Sequence, residues 1–370
     1  MIPYFLLLTI SLTFPLVYYR TDAPRPLNLN SVIVKKRTQM SIVIFFIFWF
    51  VLLSLRDLSV GNDLLVYKEM FNVCADTKIK NLPDLKWELG YLVYNKLISY
   101  ITMDYRTFLI ITAGITLFPM CMLFVREKKF SILLIALFIN MPCFLMPFSG
   151  LRQAIAVSIG VFVYMAIEKK KYVLSAVLIL LAFSFHVSAL VLVLLYPAFF
   201  LKIKTKHMLF IVPILMVIYV LRIPLLAFII NFLPEHYVES YGDIEPTGAV
   251  GMMMLFLIFL IFSFVMLDEN VMTKKGYYLR NILLIATVFQ FFVPIHGLVQ
   301  RASYYFLLFV PVSIVSVVES PKASLKKVSD IAVLVMSCFF LAYFFYTAKF
   351  STDNLLNVFP YKFFWSGRGW

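Results

Sequence analysis

The sequence predicts an all-α protein with many membrane-spanning helices, and three observations carry that reading. The 370 residues are 62% hydrophobic and only 14% charged, against roughly 45–50% and about 25% in an average globular domain. Apolar runs able to cross a bilayer, about 20 residues each, recur along the chain. Basic residues concentrate in alternate connections between those runs, as the positive-inside rule requires of a polytopic protein. Such a chain has no polar surface with which to face water. Soluble enzymes, disordered chains and disulfide-stapled secreted domains are therefore excluded.

The first apolar run, 2–19, has the length of a signal peptide. No basic segment precedes it and no small-residue cleavage motif follows, while Tyr18, Tyr19 and Arg20 make an interfacial anchor. A retained helix is expected. Further spans are expected near 40–55, 107–125, 130–148, 152–167, 208–221, 250–267, 281–299, 302–319 and 330–348. The apolar stretch 172–200 lies between two basic clusters, Lys169, Lys170 and Lys171 before it and Lys202, Lys204 and Lys206 after it. Keeping both clusters on the cytoplasmic side makes the segment a pair of half-length helices with His186 at or near the turn. A single tilted helix is the competing reading. The expectation is one integral membrane domain, 1–370, of about 10–12 spans, with extracytoplasmic loops at 56–88 and 233–249 and an extracytoplasmic tail at 349–370.

Sorting charge by side accounts for the net +14. Taking 20–39, 126–129, 168–171, 201–207, 268–280 and 319–330 as cytoplasmic, those segments hold 20 Lys and Arg and 7 Asp and Glu, which leaves +1 for the rest of the chain. The basic surplus is topology, and no nucleic-acid partner is implied. Cys74, Cys121, Cys143 and Cys338 have neither metal-ligand nor disulfide spacing. No nucleotide-binding motif occurs, so no metal and no cofactor is expected.

Function is then sought on the outer face. Arg56 ends the second span, Arg152 opens the fifth, and Arg301 lies between the ninth and tenth. Each is a snorkelling anchor in the plainest reading, but all three stand beside polar clusters. The guanidinium fork binds phosphate oxygens bidentately and keeps its charge. Gly150 and Gln153 around Arg152 suggest a helix start, whose free N–H groups favour the same anion. His186, placed in or at the lip of the membrane, is a functional candidate by that placement, either as a base or as a phosphate contact. His296 and Gln300 are one helical turn apart. Asp243 and Glu245 form an acidic pair able to activate a hydroxyl or hold a divalent ion, although a solvated acidic loop is the better account of it. The outer aromatics Tyr67, Trp87, Tyr91, Tyr237, Tyr241, Tyr304, Tyr305 and Trp365 suit a sugar-stacking groove or an interfacial belt.

The order of these motifs resembles the EpsG family, which groups with the Wzy-type O-antigen and exopolysaccharide polymerases of bacteria. The resemblance is carried by Arg56-Asp57-x3-Gly61-x-Asp63-x3-Tyr67, Glu88-x-Gly90-Tyr91, Arg152-Gln153-x-Ile155-Ala156, Phe185-His186-x-Ser188-Ala189-Leu190 and Arg301-x2-Tyr304-Tyr305. Asn62 stands where the family pattern G-T-D has Thr. The resemblance implies a glycosyltransferase of the bacterial inner membrane that joins undecaprenyl-diphosphate-linked repeat units at its outer face. It implies lipid-linked oligosaccharides as substrates, and a chain-length regulator and a flippase as partners. Arg152 and Arg301 are then expected at the diphosphate, with His186 as base or phosphate contact and an acidic residue of the outer loops as the alternative base. Arg56, Asp63, Glu88, Gln153, Tyr304 and Tyr305 are expected to bind substrate. An O-antigen ligase and a lipid-linked oligosaccharide flippase or transporter are the rival readings.

Overall fold

A computed structural model describes residues 2–18, 27–127, 129–230, 250–350 and 355–366. Its regular elements are helices. Extended pairing among the described residues is confined to two isolated bridges, Arg56 with Phe363 and Leu267 with Pro321. The expected loop 233–249, with Asp243 and Glu245, lies outside the described residues. The helices sort into two compact units, Met1–Leu190 with Ala332–Trp370, and Val191–Ile331.

The first unit opens with α1 (Ile2–Tyr18) and α2 (Leu27–Leu55). Two helices follow inside and just after the segment expected as a loop, α3 (Leu64–Asp76) and α4 (Leu89–Ser99). α3 buries Leu64, Tyr67, Phe71 and Cys74, a three-to-four spacing that marks an amphipathic helix. α5 (Tyr105–Phe124) starts on Asp104, whose carboxylate accepts the backbone N–H groups of Arg106 and Thr107. The single span expected over 130–148 is broken into α6 (Ser131–Ile139) and α7 (Pro142–Leu145), the latter continued by a 3-10 turn at Met146–Phe148, with a bend of 77°. Pro142 is the physical reason, because it pushes the residue before it out of the α region. Met141 accordingly has φ −85° and ψ 140°. α8 (Leu151–Glu168) and α9 (Tyr172–Phe185) complete the series.

Helix directions gather the connections at two ends of this unit. At one end Gln39 donates to the Val125 carbonyl at 3.1 Å, and Arg126 pairs with Glu168 at 2.6 Å. The basic connections 126–129 and 168–171 thus share an end, as the charge sorting requires. At the other end Arg106 donates to the carbonyl oxygens of Ser54 and Arg56 at 2.9 and 2.6 Å. Residues 361–364 fold back there. The Tyr361 hydroxyl donates to Leu52 O at 2.7 Å, Asp57 N to Lys362 O at 2.9 Å and Phe364 N to Leu55 O at 3.0 Å. Between the ends, fully buried Trp49 packs against Phe45, Phe46, Phe138 and Phe144. Rings of this size contribute most of the apolar burial in such a core.

The chain after α9 is broken at His186, where the reading of two half-length helices placed the turn. His186 is extended (φ −159°, ψ 123°), 3-10 turns follow over Val187–Leu194, and Leu195–Phe200 is again α-helical. Val187–Phe200 and Thr205–Val220 are bent by 117°, and the later helices of the second unit are Val250–Met266, Lys274–Phe292, Gly297–Leu307 and Val310–Glu319. One end of that unit is closed by polar contacts. Arg280 pairs with Glu269 at 3.0 Å, Asn281 donates to Ala198 O and Leu201 O at 2.9 and 2.8 Å, and Lys322 N donates to Met266 O at 2.8 Å. The connections expected as cytoplasmic, 201–207, 268–280 and 319–330, therefore meet within this unit.

Among the described residues four helices are long and apolar enough to cross a membrane, or up to seven if each of three bent pairs is one span. Ile2–Phe14, Tyr172–Phe185 and Val250–Met266 are shorter apolar helices. The protein is thus a multi-pass helical membrane protein whose passes include broken and short segments.

Candidate functional site

The site forms at the α2-end, α5-start and α8-start of the first unit. The chain leaves α2 at Arg56 and turns back through Gly61 and Asp63 into α3. Gly61 has φ +110°, and a Cβ there would lie 2.0 Å from the Phe148 carbonyl oxygen. Only glycine permits that backbone and that approach. Asp63 is thereby set beside the segment preceding α8, where its carboxylate accepts the Ser149 hydroxyl at 2.9 Å.

Arg152 stands in the first turn of α8, where unpaired backbone N–H groups and the helix dipole favour an anion. Its guanidinium forms an ion pair with Glu88. It also lies 4.3 Å from the centre of the Trp87 ring and beside the Tyr67 hydroxyl, whose acidity it influences. Its Nε is buried with no hydrogen-bond partner among the described residues. Glu88 occupies the N-cap position of α4 but makes no capping hydrogen bond with its side chain. Tyr67, Trp87 and Tyr91 pack together with centroid separations of 5.2, 5.7 and 5.7 Å. Burial pushes the Tyr67 hydroxyl above its ordinary pKa, and Arg152 opposes part of that rise.

His186 belongs to the same end. A Cβ on Gly90 would lie 2.6 Å from Ser184 O, so the start of α4 is in close contact with the last turn of α9. Tyr94 of α4 meets Phe185 at 6.1 Å. The Nδ1 of His186 accepts the Ser188 N–H at 3.3 Å and lies 2.7 Å from the Ser188 hydroxyl. The neutral ring therefore carries its proton on Nε2 and presents a donor. Gln153 is buried in the first turn of α8.

Arg56 is placed differently from Arg152. It is 1% exposed, donates to Leu53 O at 2.6 Å and Pro147 O at 3.4 Å, and lies 5.6 Å from the Phe148 ring centre. As placed, it ties α2 to the turn before α8. Arg106, which the sequence reading did not single out, secures the carbonyls of Ser54 and Arg56 and lies 4.4 Å from the Phe364 ring. An arginine in the first turn of an apolar helix reads as an anchor, so no sequence signal marked it.

In the second unit the structure places Arg301, Tyr304 and Tyr305 on the helix Gly297–Leu307. Arg301 is exposed, Tyr304 half-buried and Tyr305 fully buried. His296 is extended like His186 and starts that helix, with Nδ1 accepting the Leu298 N–H at 3.0 Å.

Together these features define a multi-pass helical membrane protein with an arginine–glutamate pair on an aromatic platform, set at a helix start. The chain belongs to the EpsG family, whose model matches residues 40–363. That match runs from α2 through the tail segment that pairs with Arg56. No curated protein and no solved structure matches the chain significantly.

Proposed function

We propose that this protein is a membrane glycosyltransferase of the bacterial inner membrane. It joins undecaprenyl-diphosphate-linked repeat units into O-antigen or exopolysaccharide at the outer face. Membership of the EpsG family supports a polymerase-like membrane protein. The observation that carries the finer reading is Arg152, charged, backed by Trp87 and presented at the start of α8 with a spare buried N–H.

The chemistry asks for such a group. The growing glycan leaves undecaprenyl diphosphate when its anomeric carbon is taken by a hydroxyl of the next lipid-linked unit. A diphosphate is already a good leaving group, so a strong general acid is unnecessary. What the site must supply is compensation for the charge gathering on the diphosphate, which a preorganised guanidinium in a water-poor setting provides. His186, with its proton on Nε2, is suited to donate to a phosphate oxygen. Arg301, exposed in the second unit, is assigned to substrate phosphate, with Tyr304 and Tyr305 of the same helix assigned to substrate binding. The Tyr67–Trp87–Tyr91 platform suits stacking against sugar rings. A flippase and a chain-length regulator are the partners that such a reaction uses.

Deleting the gene and resolving the surface glycans by electrophoresis tests this function. A polymerase deletion leaves lipid A-core bearing one repeat unit, or removes a capsule ladder. Bare core would contradict it, and would point to a ligase or a flippase.

A further inference from the structure

We infer that Glu88 is the general base of the transfer and that the arriving diphosphate releases it by taking its place on Arg152. This rests on the glycosyltransferase reading above and names the proton acceptor for it.

Three observations lead there. Glu88 sits where a helix cap would, yet its carboxylate ignores the α4 N–H groups and engages Arg152. Arg152 is the group best equipped for a diphosphate, with its buried unpartnered Nε, its place in the first turn of α8 and the Trp87 ring behind it. A guanidinium offers one fork to bidentate acceptors, and a diphosphate outbids a single carboxylate for it in both charge and acceptor count. The incoming substrate thus frees a carboxylate within one side chain's reach of the leaving group. The third observation concerns the other candidate base. His186 commits Nδ1 to the Ser188 N–H, so its neutral ring has a proton rather than a lone pair on Nε2.

The step balances as follows. The acceptor hydroxyl oxygen forms a bond to the anomeric carbon of the donor glycan. The bond from that carbon to the phosphate oxygen breaks, and its electron pair leaves with undecaprenyl diphosphate. The hydroxyl proton passes to the Glu88 carboxylate, which later yields it to water. Before substrate arrives Glu88 is held on Arg152, so the base is idle while the donor site is empty.

The test uses the full chain purified in detergent, with undecaprenyl diphosphate as the binding probe and polymer formation from lipid-linked repeat units as the activity. Glu88→Gln removes the competing charge and the base together. It is expected to bind undecaprenyl diphosphate several-fold more tightly than the wild type while losing polymer formation, and Glu88→Asp is expected to retain measurable transfer. Wild-type transfer by Glu88→Gln would overturn the inference, as would weaker or absent binding by that variant, which would make Glu88 a prop for Arg152. Arg152→Ala separates this from the underlying reading. If that variant still binds the probe and still polymerises, the diphosphate assignment fails, whatever Glu88 does.

Discussion

Arg106 donates to the carbonyl oxygen of Arg56 at 2.6 Å, so one arginine holds the backbone of another at the end of α2. The held residue in turn reaches Pro147 O, and the chain just beyond that carbonyl leads into Arg152. Position at this end of the unit thus passes from α5, through α2, to the start of α8.

Arg56 and Arg152 should consequently fail in different ways. Arg56→Ala leaves the carbonyls of Leu53 and Pro147 without their donor in a buried setting, a loss of about 2 kcal/mol or more. Reduced abundance and a lower thermal midpoint in detergent are expected. Arg152→Ala, at a partly exposed position, should leave both near the wild-type level. Equal abundance losses in the two variants would contradict the distinction.

Gly61→Ala should be among the most damaging single-methyl changes in the chain. It combines a positive φ with a contact of 2.0 Å to a carbonyl oxygen, and the backbone strain alone costs about 1–3 kcal/mol. The fraction of monodisperse protein after extraction reads this directly, and a wild-type fraction would refute the packing.

Gly90→Ala offers a graded test of the α4–α9 contact. Its Cβ would meet the Ser184 hydroxyl oxygen at 2.2 Å and the Ser184 carbonyl oxygen at 2.6 Å. Adding Ser184→Gly removes the hydroxyl but not the carbonyl. The double variant should therefore recover only part of the lost thermal stability, and full recovery would show that the backbones are not in close approach.

Asp104 caps α5, and the Thr107 hydroxyl and N–H, donating to its carboxylate, hold it below the ordinary carboxylate pKa. A depressed folded-state pKa contributes stability above the unfolded value and loses it as pH falls through the folded one. Asp104→Ala should cost about 1 kcal/mol at neutral pH. The gap between variant and wild type should narrow below about pH 4. A gap that widened on acidification would oppose this.

Much of the helical plan was legible in the sequence because lipid imposes a simple rule on length and apolarity. The spans expected at 107–125 and 152–167 reappear as α5 and α8 with shifts of a residue or two at each end. The break at His186 was legible from the lysines on either side of an over-long apolar run. Pro142 was visible but its 77° consequence was not, because hydropathy over 130–148 is unbroken. α3 and α4 escaped for the opposite reason, being too short and too amphipathic to register as spans. At the site, Arg152 and Glu88 could each be named, but their pairing spans 64 residues of sequence. Nothing local announces it. Ser149 as the partner of Asp63 and Arg106 as the clasp on Arg56 were invisible for the same reason.

The central claim is that this chain transfers glycan from a lipid diphosphate with Arg152 at the leaving group. The most direct measurement incubates purified wild type and Arg152→Ala, matched for folded protein, with undecaprenyl-diphosphate-linked repeat units. Both the glycan ladder and the released undecaprenyl diphosphate are quantified. The account predicts a ladder with stoichiometric lipid diphosphate release from the wild type and neither from the variant. A wild-type ladder from Arg152→Ala would contradict it.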